Sequence, residues 1–148
     1  MKKALEFLQS HKDVAFATCG DGRPKIRVFQ IMKMEGTTLF FATSPVKEVY
    51  RQLQKNPYIE ILAQDAAVSV RCVGKADFDV DDERKRWIYD HNDVLSRLYT
   101  SYDKMVYFKM SIEQMDYYDL APTPPILNHY DLLHHTAGSG YVGERYSR

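Results

Sequence analysis

The residues of this chain best equipped for chemistry are Thr43, Ser44, Lys47 and Arg51, two hydroxyls and two cations around one predicted helix start in the run FATSPVKEVYR. Ser44 is a good N-cap and Pro45 suits the first helical position. Val46, Val49, Tyr50 and Leu53 then recur at helical spacing as a buried stripe. In that register Lys47 occupies the third helical position, where a capping box carries Glu or Gln, and a cation there opposes the helix dipole by roughly 0.3 to 1 kcal/mol. A bound anion reverses the sign. First-turn amides, the Ser44 hydroxyl and the Lys47 ammonium then converge on a phosphate, with Arg51 one turn along sharing the charge. The alternative is a Lys47 that extends into solvent at small cost, and the helix start alone does not separate the two.

The elements that position these groups are read from period and punctuation. Residues 25 to 33 alternate, with Ile26, Val28, Gln30 and Met32 on one side and Lys25, Arg27, Phe29, Ile31 and Lys33 on the other. The first set is the expected core face. The second mixes cations with large apolar groups and is expected to meet a ligand or a partner chain. Glu35-Gly36-Thr37 turns the chain into the β-rich run Thr38 to Ala42. Upstream, Ala4, Leu5 and Leu8 predict a short amphipathic helix over 3–9. Val14 to Thr18 predicts a buried strand, and Gly20-Asp21-Gly22 a turn that makes a first hairpin.

Downstream, Ile59, Ile61 and Ala63 alternate with polar neighbours, and residues 68 to 78 form a further strand in which Gly74 marks a bulge or bend. Residues 79 to 101 change to helical period from an acidic start, and the weak point at His91-Asn92-Asp93 predicts two short helices. Trp87 in the first is expected to be a packing residue. Residues 104 to 112 form the last long strand, with Val106, Phe108, Met110 and Ile112 inward. Beyond Leu120 the Pro-rich run dissolves the pattern, and residues 121–148 are expected to be a partly flexible arm that packs on its own or a neighbouring subunit.

Composition bounds the function classes. The 148 residues suit a single core, and 20 basic against 20 acidic residues remove the electrostatic reason to expect nucleic acid or anionic lipid. No apolar run approaches the roughly 20 residues of a membrane span and none resembles a secretory leader, so a cytoplasmic protein is expected. Cys19 and Cys72 fall in strand patterns and are expected to be buried free thiols. His129, His134 and His135 lack a Cys or carboxylate cluster at ligand spacing, so no metal site is expected. There is no P-loop or Rossmann glycine motif, no C-x-x-C, no G-x-S-x-G and no H-E-x-x-H, and no catalytic acid or base stands out.

The order of pieces is more specific than any one of them. A strand with Arg27-Val28-Phe29, a hairpin, Phe-Phe-x-Thr-Ser, a Lys-bearing helix and Gln-Leu-x-x-Asn-Pro resembles the flavin-binding split barrel of the pyridoxamine 5'-phosphate oxidase-like family, over roughly residues 1–120. The resemblance implies a mainly β (α+β) fold: a Greek-key split barrel of about six antiparallel strands with peripheral helices. It also implies FMN at the interface of a homodimer. Arg27, Val28, Phe29 and Gln30 would then lie along the ring, with Thr43, Ser44 and Lys47 near the phosphate. Many relatives carry a Ser-Arg-Lys cluster where this chain reads Lys47-Glu48-Val49, a departure at the phosphate end. The implied activity is FMN-dependent oxidation or reduction of a small planar molecule. The other reading is a protein that binds, stores or senses flavin, haem or deazaflavin without catalysis. The chain lacks the family enzyme's terminal Trp-Arg-Leu-x-Pro segment, so pyridoxamine 5'-phosphate oxidase activity itself is not expected.

Overall fold

A computed structural model of the protein describes residues 1–139. In chain order the elements are α1 (Lys2–Ser10), β1 (Asp13–Thr18), β2 (Lys25–Gln30), β3 (Lys33–Glu35), β4 (Thr38–Thr43), α2 (Glu48–Lys55), β5 (Tyr58–Asp65) and β6 (Val68–Asp77). They continue with α3 (Asp82–Asp90), α4 (Asp93–Leu98), β7 (Val106–Asp119), β8 (Ile126–Asp131) and β9 (Thr136–Ser139). All strand pairs are antiparallel, in the order β2-β1-β5-β6-β7-β4-β3, with β8 added to the far half of β7 and β9 to β8. The sheet curls into the split barrel that the resemblance implies, with four α-helices at its periphery among the described residues.

The strand expected over 25–33 is divided by a change of partner. Through Gln30 it pairs with β1, but the Ile31 N–H donates to the Lys12 carbonyl and the Met32 N–H to the Phe40 carbonyl, both at 2.8 Å. This handover lets one segment serve both ends of the curled sheet and starts β3 as a separate strand. Gly36, at φ +57°, turns β3 into β4. In β6 the register shifts between Val73 and Gly74, the bulge that the sequence suggested. A Cβ at position 74 would meet Met110 Cγ at 2.5 Å and the Ser111 carbonyl oxygen at 2.6 Å, so glycine there permits the close approach to β7.

The interior faces of β2 are the reverse of those expected. Ile26 and Val28 are 73% and 74% exposed, whereas Ile31 is fully buried and Phe29 packs inward. The reason is an aromatic cluster: the Phe29 ring lies 4.4 Å from Phe16 and 6.1 Å from both Phe41 and Phe108, centroid to centroid. Burying these rings contributes more than burying the smaller Ile26 and Val28 would.

Two further expectations change at the C-terminal end. β7 continues to Asp119, seven residues past Ile112, and the stretch expected as a partly flexible arm includes β8, paired residue for residue with β7 from Gln114↔Asp131 to Asp119↔Ile126. Residues 140–148 lie outside the described part. The extra hairpin and the separated β3 raise the strand count to nine among the described residues. Cys19 is exposed, against expectation, while burial pushes the Cys72 thiol up to about 12.

The α3 helix is fastened to β3 by Arg84, whose Nη2 and Nε donate to Glu35 Oε2 at 2.9 and 3.0 Å. That hydrogen bonding holds the Glu35 carboxyl below its usual range. A carboxylate depressed on folding stabilises the fold above its unfolded pKa, and the contribution is lost as pH falls through the folded value. Glu35→Gln should therefore melt below wild type at neutral pH, with the gap closing in acid. Melts across that range check it, and a gap that does not vary with pH would show the ion pair to be inert.

Candidate functional site

A cleft of about 520 Å³ opens where β2, the end of β4, the start of α2 and α4 meet. That volume lies within the roughly 300–1,000 Å³ of small-molecule sites. Its β2 wall is Arg27, Val28, Phe29 and Gln30. Thr43 closes the β4 end, Lys47 and Glu48 stand at the mouth of α2, and Leu95 and Leu98 of α4 form the opposite side with Tyr99 and Met105. Six of the eight residues picked from the sequence thus share one cavity. Ser44 and Arg51 are not in its lining.

The junction between β4 and α2 explains both exceptions. Ser44 to Lys47 form a turn closed by the Lys47 N–H on the Ser44 carbonyl at 3.1 Å, with the Val46 N–H reaching Ser44 Oγ at 3.4 Å. Pro45 fits the second position of such a turn as well as the first of a helix, and here the turn wins. The helix therefore starts at Glu48, three residues later than expected from Ser44 as cap, and Lys47 is its extended N-cap residue with no side-chain capping bond. Val46 is 90% exposed and drops out of the predicted stripe, which is instead Val49, Gln52 and Leu53. Arg51 points to solvent, its Nη2 4.0 Å from Glu48 Oε1.

Thr43 carries the strongest mark of a ligand. Its residue is 4% exposed and its Oγ1 has no hydrogen-bond partner among the described residues. An unsatisfied buried hydroxyl costs about 1–3 kcal/mol, a cost that rotation of the Thr43 side chain toward a polar atom in the cleft would remove. Lys47 and the first turn of α2 belong to the same end. Glu48 opposes them, since its carboxylate lines the same cavity.

Arg27 is held from behind. Its Nη1 donates to Thr18 Oγ1 at 2.8 Å and its Nη2 to Gln52 Oε1 at 2.9 Å, while Thr18 Oγ1 donates to the same Gln52 oxygen at 2.6 Å. Burial lowers the Arg27 pKa and the Glu48 charge raises it. Gly20 allows this arrangement: a Cβ there would stand 2.7 Å from the Gln52 Cα, so the β1–β2 turn lies directly on α2.

The α4 wall was not singled out from the sequence, where Leu95 and Leu98 read only as a packing stripe. The available signal was Asn92 before Asp93-Val-Leu, an N-cap pattern. Trp87 lies outside the cleft, between Lys33 Nζ and the His91 ring, each 4.0 Å from its own. His129 and His134 pair separately with Asp116 and Asp131, and no group of three metal-ligating side chains occurs among the described residues.

A curled antiparallel sheet with a cleft along its terminal strand is the architecture of a split barrel. The family model described as pyridoxamine 5'-phosphate oxidase matches residues 1–118, and the chain belongs to that family. Among solved structures, a general stress protein 26-related protein of the pyridoxinephosphate oxidase family from Clostridium acetobutylicum is similar. It has TM-score 0.74 and 19% identity, covering 90% of this chain and 94% of that one. A pyridoxamine 5'-phosphate oxidase-related, FMN-binding protein from Nostoc punctiforme has TM-score 0.72 and 16% identity, covering 93% and 92%. A haem-binding protein from Mycobacterium smegmatis has TM-score 0.62 and 19% identity, covering 77% and 52%. No curated protein matches the chain. At these identities the structures share its fold.

Proposed function

We propose that this protein binds FMN in the β2 cleft of a homodimer and acts as an oxidoreductase on a small planar molecule. The observation that carries the reading is Thr43 Oγ1, buried and unpartnered beside Lys47 at one end of a cavity whose wall is the Arg27–Gln30 strand. An anionic phosphate is complementary to that end, and a flat ring to the strand. Bound FMN would supply the electron transfer, and the chain's part is to hold the ring and exclude water from it. Arg27, fixed by Thr18 and Gln52, gives the wall a constant positive charge, and Leu95 and Leu98 give an apolar opposite side.

The dimer rests on a different observation from the one used with the sequence alone. Phe29 and Ile31 turn inward and need no cover. The residues that do are Ile26 and Val28 on β2, the terminal strand of the sheet, with Leu98, at 63% exposed, in the cleft lining. An apolar edge strand invites a second copy, and a symmetric pair would complete the open side of the cleft. No helix among the described residues is long and apolar enough to cross a membrane. A cytoplasmic location belongs to the same proposal.

The test is titration of the purified protein with FMN and with haemin, followed by absorbance, beside light scattering at micromolar concentration. Uptake of one FMN per subunit by a dimer supports the reading, and NAD(P)H-dependent bleaching with reoxidation by an added acceptor identifies an enzyme. A haem spectrum with no flavin uptake overturns it. The haem reading has the Mycobacterium smegmatis neighbour in its favour, but the cleft lining contains no His or Cys, leaving Tyr99, Met32 and Met105 as its candidate ligands.

A further inference from the structure

A hydrogen-bond chain anchored in the backbone of α4 reaches the cleft wall through Asn92. Asn92 Oδ1 accepts the Leu95 N–H at 3.3 Å, as an N-cap does. A backbone N–H can only donate, so this contact fixes which end of the Asn92 amide faces the helix and turns Nδ2 away from it. Nδ2 donates to Gln30 Oε1 at 2.8 Å and lies 2.9 Å from Met32 Sδ. An amide nitrogen is likewise only a donor, so Gln30 must give its oxygen to Asn92 and direct its own NH2 elsewhere. Gln30 lines the cleft and makes no other side-chain hydrogen bond among the described residues.

We propose that Asn92 is a positioning residue that locks the Gln30 amide with its NH2 toward the cleft, so that the bound ring is met there by a hydrogen-bond donor. The identity of that ring rests on the flavin reading above. Gln30 is exposed on β2, and a free amide in that position would offer donor and acceptor about equally. The Asn92 contact removes one of the two orientations before the ligand arrives, which lowers the ordering cost of binding. A heteroaromatic ring with carbonyl and imine acceptors along its edge is complementary to the locked form. The reversed amide would set oxygen against those acceptors.

Asn92→Asp isolates this role. Aspartate caps a helix as well as asparagine, so the Leu95 contact and α4 survive, but the donor facing Gln30 becomes an acceptor. Gln30 must then rotate, giving its NH2 to the carboxylate and its oxygen to the cleft. FMN and riboflavin should weaken by the same factor, about 3- to 10-fold, with circular dichroism and melting unchanged. Gln30→Leu should weaken both flavins similarly, and adding Asn92→Asp to it should have no further effect. An Asn92→Asp loss that persists in the Gln30→Leu background, or one confined to FMN and so due to charge on the phosphate, overturns the proposal.

The ligand-free protein gives an independent readout. The Gln30 side-chain NH2 resonances should shift in Asn92→Asp, and unchanged resonances refute the lock whatever the cleft binds. If wild type takes up no flavin, the FMN reading fails by itself, and the amide spectrum still decides the lock.

Discussion

Phe29→Ala should destabilise the fold by about 3 kcal/mol, whereas Val28→Ala, one residue away, should cost the isolated protomer less than about 0.5 kcal/mol. Phe29 reaches into the rings of Phe16, Phe41 and Phe108, and truncation leaves a void that neighbouring strands cannot close. The figure is at the low end for a phenylalanine because the residue is only partly buried. For a chain of this length it corresponds to a fall of roughly 6–12 °C in Tm. Val28 is mostly exposed, so its methyls matter only to whatever covers β2. Urea unfolding at several protein concentrations separates the two. The Phe29 loss should not vary with concentration, while any Val28 loss should grow as the protein associates. Equal costs in dilute protein would show that the strand faces are assigned wrongly.

That pair of residues also shows where the sequence was legible and where it was not. Ala4 and Leu8 of α1, the alternation in β5, the Gly74 bulge and the break between α3 and α4 were readable because each has one period or one punctuating residue that leads to one structure. β2 offers two apolar sets, Ile26 with Val28 and Phe29 with Ile31, so alternation fixes the two faces without saying which is inside. A cation on a strand ordinarily faces outward, and Arg27 departs from that by meeting Thr18 and Gln52 from the interior side. That bond depends on a helix 25 residues away in sequence, and no local pattern announces it.

The candidate site was legible to the same degree and for the same reason. Strand positions Arg27 to Gln30 and the strand end at Thr43 carry over because β-strands hold a fixed rise and direction, so their order in sequence is their order along the wall. Ser44 and Arg51 lie outside the cleft lining because the turn at Pro45 delays α2 by three residues and so rotates every side chain assigned from a start at Ser44. The α4 wall and the Asn92 to Gln30 contact join positions 62 apart, a separation at which only the folded chain defines neighbours. β8 is similar: Ile126 to Asp131 shows no burial alternation of its own and is a strand because the far half of β7 leaves an edge to pair.

Lys47→Ala should weaken FMN binding by about 1.5 to 3 kcal/mol, roughly 10- to 150-fold, and riboflavin binding far less. Lys47 stands at the mouth of the cleft whose lining also includes Thr43. Lys47 precedes the first turn of α2 instead of lying within it, and Glu48 occupies the first helical position, where a carboxylate suits the dipole. The ligand-free variant should therefore melt with wild type, since the substitution relieves no conflict with the helix. Glu48 reduces the field that Lys47 presents to a phosphate and places the expected loss nearer the lower bound. Titrating both flavins into wild type and variant, beside thermal melts without ligand, distinguishes the outcomes. A selective loss for FMN places the phosphate between Thr43 and Lys47. Equal losses for the two flavins, or none for either, would mean that Lys47 is a solvent-facing lysine and that the anion is bound elsewhere.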